Sequence, residues 1–301
     1  MFNQTIDWET IAKHISETSG LPFQIKRQQE IGGGCINKTY QVSDNDNQSY
    51  FVKLNNAQYQ DMFAAEADGL SELEKAAVVK VPKPLCFGTA GHQAYLVMEY
   101  LKFDIKDHSA ISELGQQLAN LHQKTAPLFG LHRDNYIGST RQVNTLEKDW
   151  STFWQKHRLH FQLKLAARNG YNGKNLQTQG ERLIAELSQF FTDYQPQPSL
   201  LHGDLWSGNY AVAIQGSHPV IYDPAVYYGD RETDIAMTEL FGAFPKRFYE
   251  AYQDSWALDV GYSTRKVLYN LYHILNHLNL FGGGYLRQAE NMIASLLSEL
   301  G

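Results

Sequence analysis

Apolar residues recur along this chain with two different periods, and the change between them divides it. Over residues 5–19, Ile6, Ile11 and Ile15 fall on one helical face. Alternation then takes over: "TYQV" and "YFVKL" predict strands, and "DNDNQ" between them offers the Asn and Asp residues that tolerate a tight turn. An earlier strand ends at Ile31, just before Gly32, Gly33 and Gly34. A helix is predicted over 58–76, with Met62, Phe63, Leu70 and Leu73 turned inward, and strands follow in "VKVPKPLCFG" and "QAYLVMEYL".

Beyond Leu101 the helical period dominates. Leu114, Leu118 and Leu121 mark a helix over 109–125, and further helices are predicted at 146–168, 176–194, 233–256, 264–281 and 285–300. The segment 170–178 reads as a loop, and short strands surround "SLLHGDLWSGNYAV". Five strands and a helix followed by a mostly helical half predict an α+β fold of two lobes, 1–101 and 102–301.

Composition narrows the function. With 43% hydrophobic and 19% charged residues among 301, the chain is expected to fold as a globular protein. A net charge of −6 without clustered Lys and Arg argues against a nucleic-acid surface. No apolar run is long enough for a membrane helix, and "MFNQTIDWETIAKHISE" lacks the basic and apolar regions of a signal peptide. Two cysteines make no disulfide framework, so a cytoplasmic location is expected.

The polar residues at the ends of the apolar segments carry the chemistry. Glycines 32–34 lack a Cβ and can let backbone N–H groups approach a phosphate, although three glycines between strands also make a plain turn. Lys53 sits inside a strand between Val52 and Leu54, which suggests a polar partner on that face; Glu66, 13 residues on in the next helix, is the candidate. Asp204, Asn209 five residues later, and Asp223 follow in order. In phosphoryl transfer one Asp receives the attacking hydroxyl's proton, while an Asn and a second Asp offer the hard oxygens that Mg²⁺ prefers.

On these motifs the chain resembles the fructosamine kinase (ketosamine kinase) family, a branch of the protein-kinase-like fold related to aminoglycoside phosphotransferases. "LLHGDLWSGN" and "YDPAVYYGDRETDIAMTELFG" carry the resemblance, with "GGGCIN", "FVKLN", "FAAEADGL" and "YLVMEYL" extending it from Glu30 to about Phe244. It implies ATP and Mg²⁺, and phosphorylation of the sugar 3-hydroxyl of small-molecule or protein-linked ketosamines, whose products break down and free the amine. Asp204 would be the base, Asn209 and Asp223 the metal ligands, and Lys53 the phosphate lysine paired with Glu66. The Gly32–Gly34 loop with Asn37 would cover the phosphates, and backbone near Glu99 and Leu101 would meet adenine. Asp234 would tie down the catalytic loop and His202 would pack within it. "DPA" stands where protein kinases have D-F-G, which fits a small-molecule kinase without a phosphorylated activation loop.

Around this centre several readings stay open. Trp206 would stack on the sugar or pack the loop, and Tyr227, Tyr228, Asp230 and Arg231 would line the same pocket. Cys35, beside the glycines, is either a reduced thiol or a redox switch that links two copies, so monomer and homodimer are both compatible. Cys86 reads as core. His273 and His277, four apart on a helix, lack the Glu and third ligand of a zinc site. Aminoglycoside, choline and homoserine kinases, or a silent kinase-like scaffold, are the competing functions.

Overall fold

An antiparallel sheet is covered on each face by one helix, so its two central strands are buried on both faces rather than alternately. A computed structural model describes residues 6–32, 36–104 and 106–301. The strands are β1 (Arg27–Glu30), β2 (Lys38–Ser43), β3 (Ser49–Asn56), β4 (Pro84–Ala90) and β5 (Gln93–Glu99), in the order β1-β2-β3-β5-β4. The β2–β3 turn is made as its composition predicts: Asp44 accepts from the backbone of Asp46 and Gln48 at 2.9 Å, and Asn47 is left-handed. Val52, Leu54, Tyr95 and Val97 face α1 (Trp8–Ser19), which presents Ile11 and Ile15 to them. Leu96 and Met98 face the other way, toward Phe63 and Leu70 of α2 (Gln60–Ala76).

The second half is mostly helical. After β6 (Phe103–Asp104) come α3 (Ile111–His122), the β7 (Asn135–Ile137) and β8 (Thr140–Gln142) hairpin, α4 (Trp150–Trp154), α5 (His160–Arg168) and α6 (Lys174–Glu186). The strands β9 (Ser199–Leu201), β10 (Tyr210–Ala213), β11 (Pro219–Ile221) and β12 (Tyr227–Gly229) interrupt the helices. Then follow α7 (Glu232–Leu240), α8 (Lys246–Ser255), α9 (Tyr262–Phe281) and α10 (Leu286–Leu300). β6 pairs with β10, so the segment leaving the first lobe is stitched to the strand that follows the loop carrying Asp204.

The predicted helix boundaries need correction at three places. The helix expected over 233–256 is broken into α7 and α8, because Gly242 takes a positive φ and Pro245 starts a new helix. The one expected from 146 begins at Trp150, where the Asp149 side chain caps the Thr152 N–H at 2.7 Å. It then runs through a π turn (Gln155–Leu159) into α5. Part of the expected loop 170–178 is the first turn of α6.

One buried cluster joins the lobes. Phe63, Leu70 and Met98 from the first half pack with Leu118, Leu200, Ile221, Val226 and Phe248 from the second. Within the second lobe, α3 and α8 approach closely at Gly115, where a Cβ would collide with the Phe248 carbonyl oxygen. That approach brings His122 of α3 to Tyr252 of α8.

Candidate active site

Lys53 explains its own place in the strand. Its neighbours Val52 and Leu54 point into the α1 side of the sheet, so Lys53 points toward α2, where it is 4% exposed. There its Nζ lies 2.5 Å from Glu66 Oε1 and 2.6 Å from Asp223 Oδ1. Burial works against the ammonium, but Asp223 and Glu66 outweigh it and hold the lysine charged well above its ordinary range. Breaking such a buried pair costs about 3–5 kcal/mol, because the remaining charge is stranded.

Asp204 and Asn209 come from the loop between β9 and β10. Asn209 Nδ2 donates to the Asp204 carbonyl oxygen at 2.9 Å, and reaches Asp204 Oδ2 and the Asp223 carbonyl at 3.4 Å. One amide therefore gathers the two aspartates. Burial, then the charges of Asp223 and Asp234, push the Asp204 carboxyl up to about 7, while the Asn209 hydrogen bond pulls the other way. Asp223 itself sits at φ +56, a left-handed conformation that Asp tolerates better than most residues and that Asn47, Ala77 and Ser217 also adopt here.

The loop is held from behind. The His202 and Gly203 N–H groups donate to the two oxygens of Asp234, at 2.7 and 2.8 Å. His202 is fully buried, and burial lowers its pKa, so the ring is neutral. Its Nε2 donates to the Tyr222 carbonyl at 3.0 Å and its Nδ1 accepts the Asp204 N–H at 3.2 Å. Gly203 has φ +83, and a Cβ there would collide with the Ala225 carbonyl oxygen, so only glycine fits. Gly208 is required for another reason: the Trp206 indole lies across it, 36% exposed.

The remaining expected nucleotide residues lie at both ends of the sheet, with Asn37 beside the start of β2 and Glu99 at the end of β5, opposite the start of β3. A Cβ on Gly32 would meet nothing within 4 Å, so no packing demands glycine there and backbone is open to a ligand. Gly33, Gly34 and Cys35 lie outside the described residues. Asn37 Oδ1 accepts from Asn55 at 2.7 Å, tying the loop's exit to the end of β3. The Glu99 side chain pairs with Lys80 at 2.8 Å and its backbone N–H donates to the Lys83 carbonyl at 2.8 Å, so both are committed within the first lobe.

Three expected pocket residues are interior instead. Tyr227, 2% exposed, lies under the Arg158 guanidinium at 4.2 Å. Asp230, 1% exposed, accepts from the Tyr194 and Tyr269 hydroxyls and the Glu232 N–H. Arg231 donates to the Tyr252 hydroxyl at 3.1 Å and to the Trp256 and Ala257 carbonyls at 2.9 and 2.5 Å. Their polar atoms are committed within the protein, which removes them from a substrate-lining role. Tyr228 bonds Glu72 of α2 at 2.8 Å.

The sequence reading missed other support. Asn135 and Gln142 of the β7–β8 hairpin donate to the Val226 and Ala225 carbonyls, at 2.7 and 3.2 Å, fixing the segment after Asp223. Arg158 is fully buried and donates to the Val143 carbonyl and Asn144 Oδ1. Its neighbours Gln155, Lys156, His157 and His160 are polar too, so nothing in the sequence marks this arginine as the buried one. His277 packs at a tilt against Phe241, 4.5 Å between ring centres, and Phe241 in turn meets Trp206 edge-on, so this histidine extends an aromatic row from the loop that carries Asp204. His273 is buried, and burial pushes its pKa down to about 3.

The donor set fits a phosphate-bridged Mg²⁺. Among the described residues no group of three or more His, Cys, Asp or Glu could hold a metal ion by itself. Asn209 and Asp223 could together offer two oxygen ligands, and Mg²⁺ commonly completes such a site with substrate phosphate and water. No described helix is long and apolar enough to cross a membrane.

Comparison with known proteins gives a consistent outcome. The sequence profile of the fructosamine kinase family matches residues 7–299. A probable ketoamine kinase of Synechocystis sp. is 47% identical over 296 residues, 98% of each chain. The chloroplastic protein-ribulosamine 3-kinase of Arabidopsis thaliana is 41% identical over 94% of this chain and 86% of its own length. A putative fructosamine-3-kinase from Haemophilus somnus superposes with a TM-score of 0.88 at 29% identity, over 96% of this chain and 97% of that one.

Proposed function

This chain belongs to the fructosamine kinase family, a group of phosphotransferases acting on hydroxyl groups, and from that premise we propose that it uses Mg-ATP to phosphorylate the sugar 3-hydroxyl of ketosamines. The observation that carries the reading is Lys53 bridging Glu66 and Asp223, with Asp204 and Asn209 gathered beside Asp223. Specificity for the 3-position is supported by the plant relative's name.

Each residue has a distinct task. Asp204 takes the proton of the 3-hydroxyl as the oxygen attacks the γ-phosphorus and ADP leaves. A carboxyl raised to about 7 is a base well matched to neutral pH. Lys53, held by Glu66, neutralises the nucleotide's phosphates. Asn209 and Asp223 would hold Mg²⁺, whose chemistry is to offset charge on the phosphoryl oxygens. Trp206, half exposed two residues past Asp204, gives the sugar a stacking face. In the product, enolisation toward C1 makes the C3 phosphate allylic; its loss and hydrolysis of the resulting imine free the amine. The protein would thereby reverse glycation.

The test is ADP release with Mg-ATP over ribulosamine, erythrulosamine and fructosamine adducts, with kanamycin and choline as other acceptors. Turnover on a ketosamine that Asp204→Asn abolishes supports the reading. Turnover confined to kanamycin or choline would overturn the substrate.

A further inference from the structure

We propose that Arg231, Tyr252 and His122 are positioning residues, a buried hydrogen-bonded chain that fixes the catalytic loop through Asp234. The proposal rests on the reading of Asp204 as the base. The chain runs from the start of α7, across α8 and α3, and back to the loop. Arg231 Nη1 donates to the Tyr252 hydroxyl at 3.1 Å. That hydroxyl is 2.8 Å from His122 Nδ1, and His122 Nε2 is 3.2 Å from Asp234 Oδ2. The same Asp234 oxygen accepts the His202 N–H, and its other oxygen accepts the Gly203 N–H.

The direction of every bond follows from the ends. A guanidinium only donates and an ionised carboxylate only accepts. His122 must therefore carry its proton on Nε2, leaving Nδ1 to accept from Tyr252, whose oxygen accepts from Arg231. The one-proton, neutral imidazole that this needs is the form burial favours. Each link removes an alternative: Arg231 orients the hydroxyl, the hydroxyl selects the imidazole tautomer, and the imidazole fixes the carboxylate's rotation. Arg231 is anchored in turn by the Trp256 and Ala257 carbonyls and lies 4.0 Å over the Trp256 ring. Arg231, Tyr252, His122 and Asp234 are all at most 5% exposed, so little water competes for these bonds. The object being held is the left-handed turn at Gly203, φ +83, directly before Asp204.

Tyr252→Phe is the deciding variant, because it deletes the hydroxyl and keeps the ring. It is compared with wild type and Asp204→Asn for kcat, both KM values, and hydrogen exchange of the His202 and Gly203 amides. Expected are a kcat lowered about tenfold, KM values within about twofold, and faster exchange at those two amides, since an interaction needed for the reacting geometry is lost without touching the binding surfaces. Wild-type kcat and wild-type protection in Tyr252→Phe would overturn the proposal. Should that variant fold poorly, His122→Gln and His122→Leu decide. Gln can still donate to Asp234 and retains more kcat than Leu if the chain positions the loop; equal kcat in the two variants would contradict it. Asp204→Asn keeps the two claims apart, since activity surviving in that variant refutes the base assignment and leaves the exchange result standing on its own.

Discussion

Single residues here are constrained by groups far away in sequence. Asp204 shows the cost of function: its carboxyl titrates near 7 in the folded chain and near 3.8 when unfolded. Between those values the folded state binds the extra proton, so its stability contribution is present at low pH and lost as pH rises through about 7. Asp204→Asn is therefore expected to raise the thermal midpoint of the metal-free protein by more at pH 8 than at pH 4, while abolishing turnover. Calorimetry at the two pH values checks this. For the active protein, kcat/KM should fall as pH drops and Asp204 takes up its proton, with bound Mg²⁺ moving that limb lower. Gly203→Ala should destabilise the loop by about 1–3 kcal/mol, by overpacking against Ala225, and reduce kcat with it. Asp204, Asn209, Asp223 and Lys53 were legible because each stands at a fixed spacing beside or within a short apolar run. Asp230 and Arg231 were misread for a physical reason. Their partners, Tyr194 and Tyr269 for one and Tyr252 with Trp256 for the other, lie 21 to 39 positions away, and charged residues so close to the catalytic loop look like ligands until those partners are seen.

Among elements, α2 matters beyond Glu66. Asp61, Asp68 and Glu72 form one stripe of the helix directed at the second lobe. Arg133 bridges Asp61 and Asp68 at 2.7 and 3.3 Å, Tyr136 donates to Asp61, and Tyr228 donates to Glu72. Between these contacts, a Cβ on Gly69 would come within 3.1 Å of Val226, so α2 rests against the segment that follows Asp223. The helix that carries Glu66 is thus braced by side chains of the second lobe. The Arg133 pairs are partly exposed, so each contributes roughly 0–1 kcal/mol and is screened by salt. Arg133→Ala should raise KM for ATP about two- to fivefold at low ionic strength, a difference that narrows in high salt if these pairs supply it. Steady-state kinetics at two salt concentrations measures it. None of this was legible in the sequence, because the acidic stripe looks like an ordinary solvated helix face until Arg133 is placed. The helix itself was legible from its apolar period, as were the inner strands, whereas β1 is wholly polar and exposed and was placed only by the glycines that follow it.

For the whole molecule, the two-period pattern foretold two textures, but not how they join. The buried cluster shared by α2, β5, α3, β9 and α8 is assembled from apolar positions that look alike in sequence, and only the packing shows that it spans both halves. The lobes meet over a site that presents charge to a nucleotide. Mg-ADP at 100 times its dissociation constant should therefore stabilise the folded protein by about 2.7 kcal/mol, visible as a raised thermal midpoint, and Lys53→Met should diminish the shift. The most direct test of the central claim is the position of the transferred phosphate. A ribulosamine labelled with ¹³C at C3 is incubated with Mg-ATP and followed by ³¹P and ¹³C NMR. Transfer to the 3-hydroxyl predicts a new phosphate resonance coupled to the labelled carbon, decaying with release of amine and inorganic phosphate, and absent with Asp204→Asn. A stable phosphate on another hydroxyl, or the same product from Asp204→Asn, would contradict it.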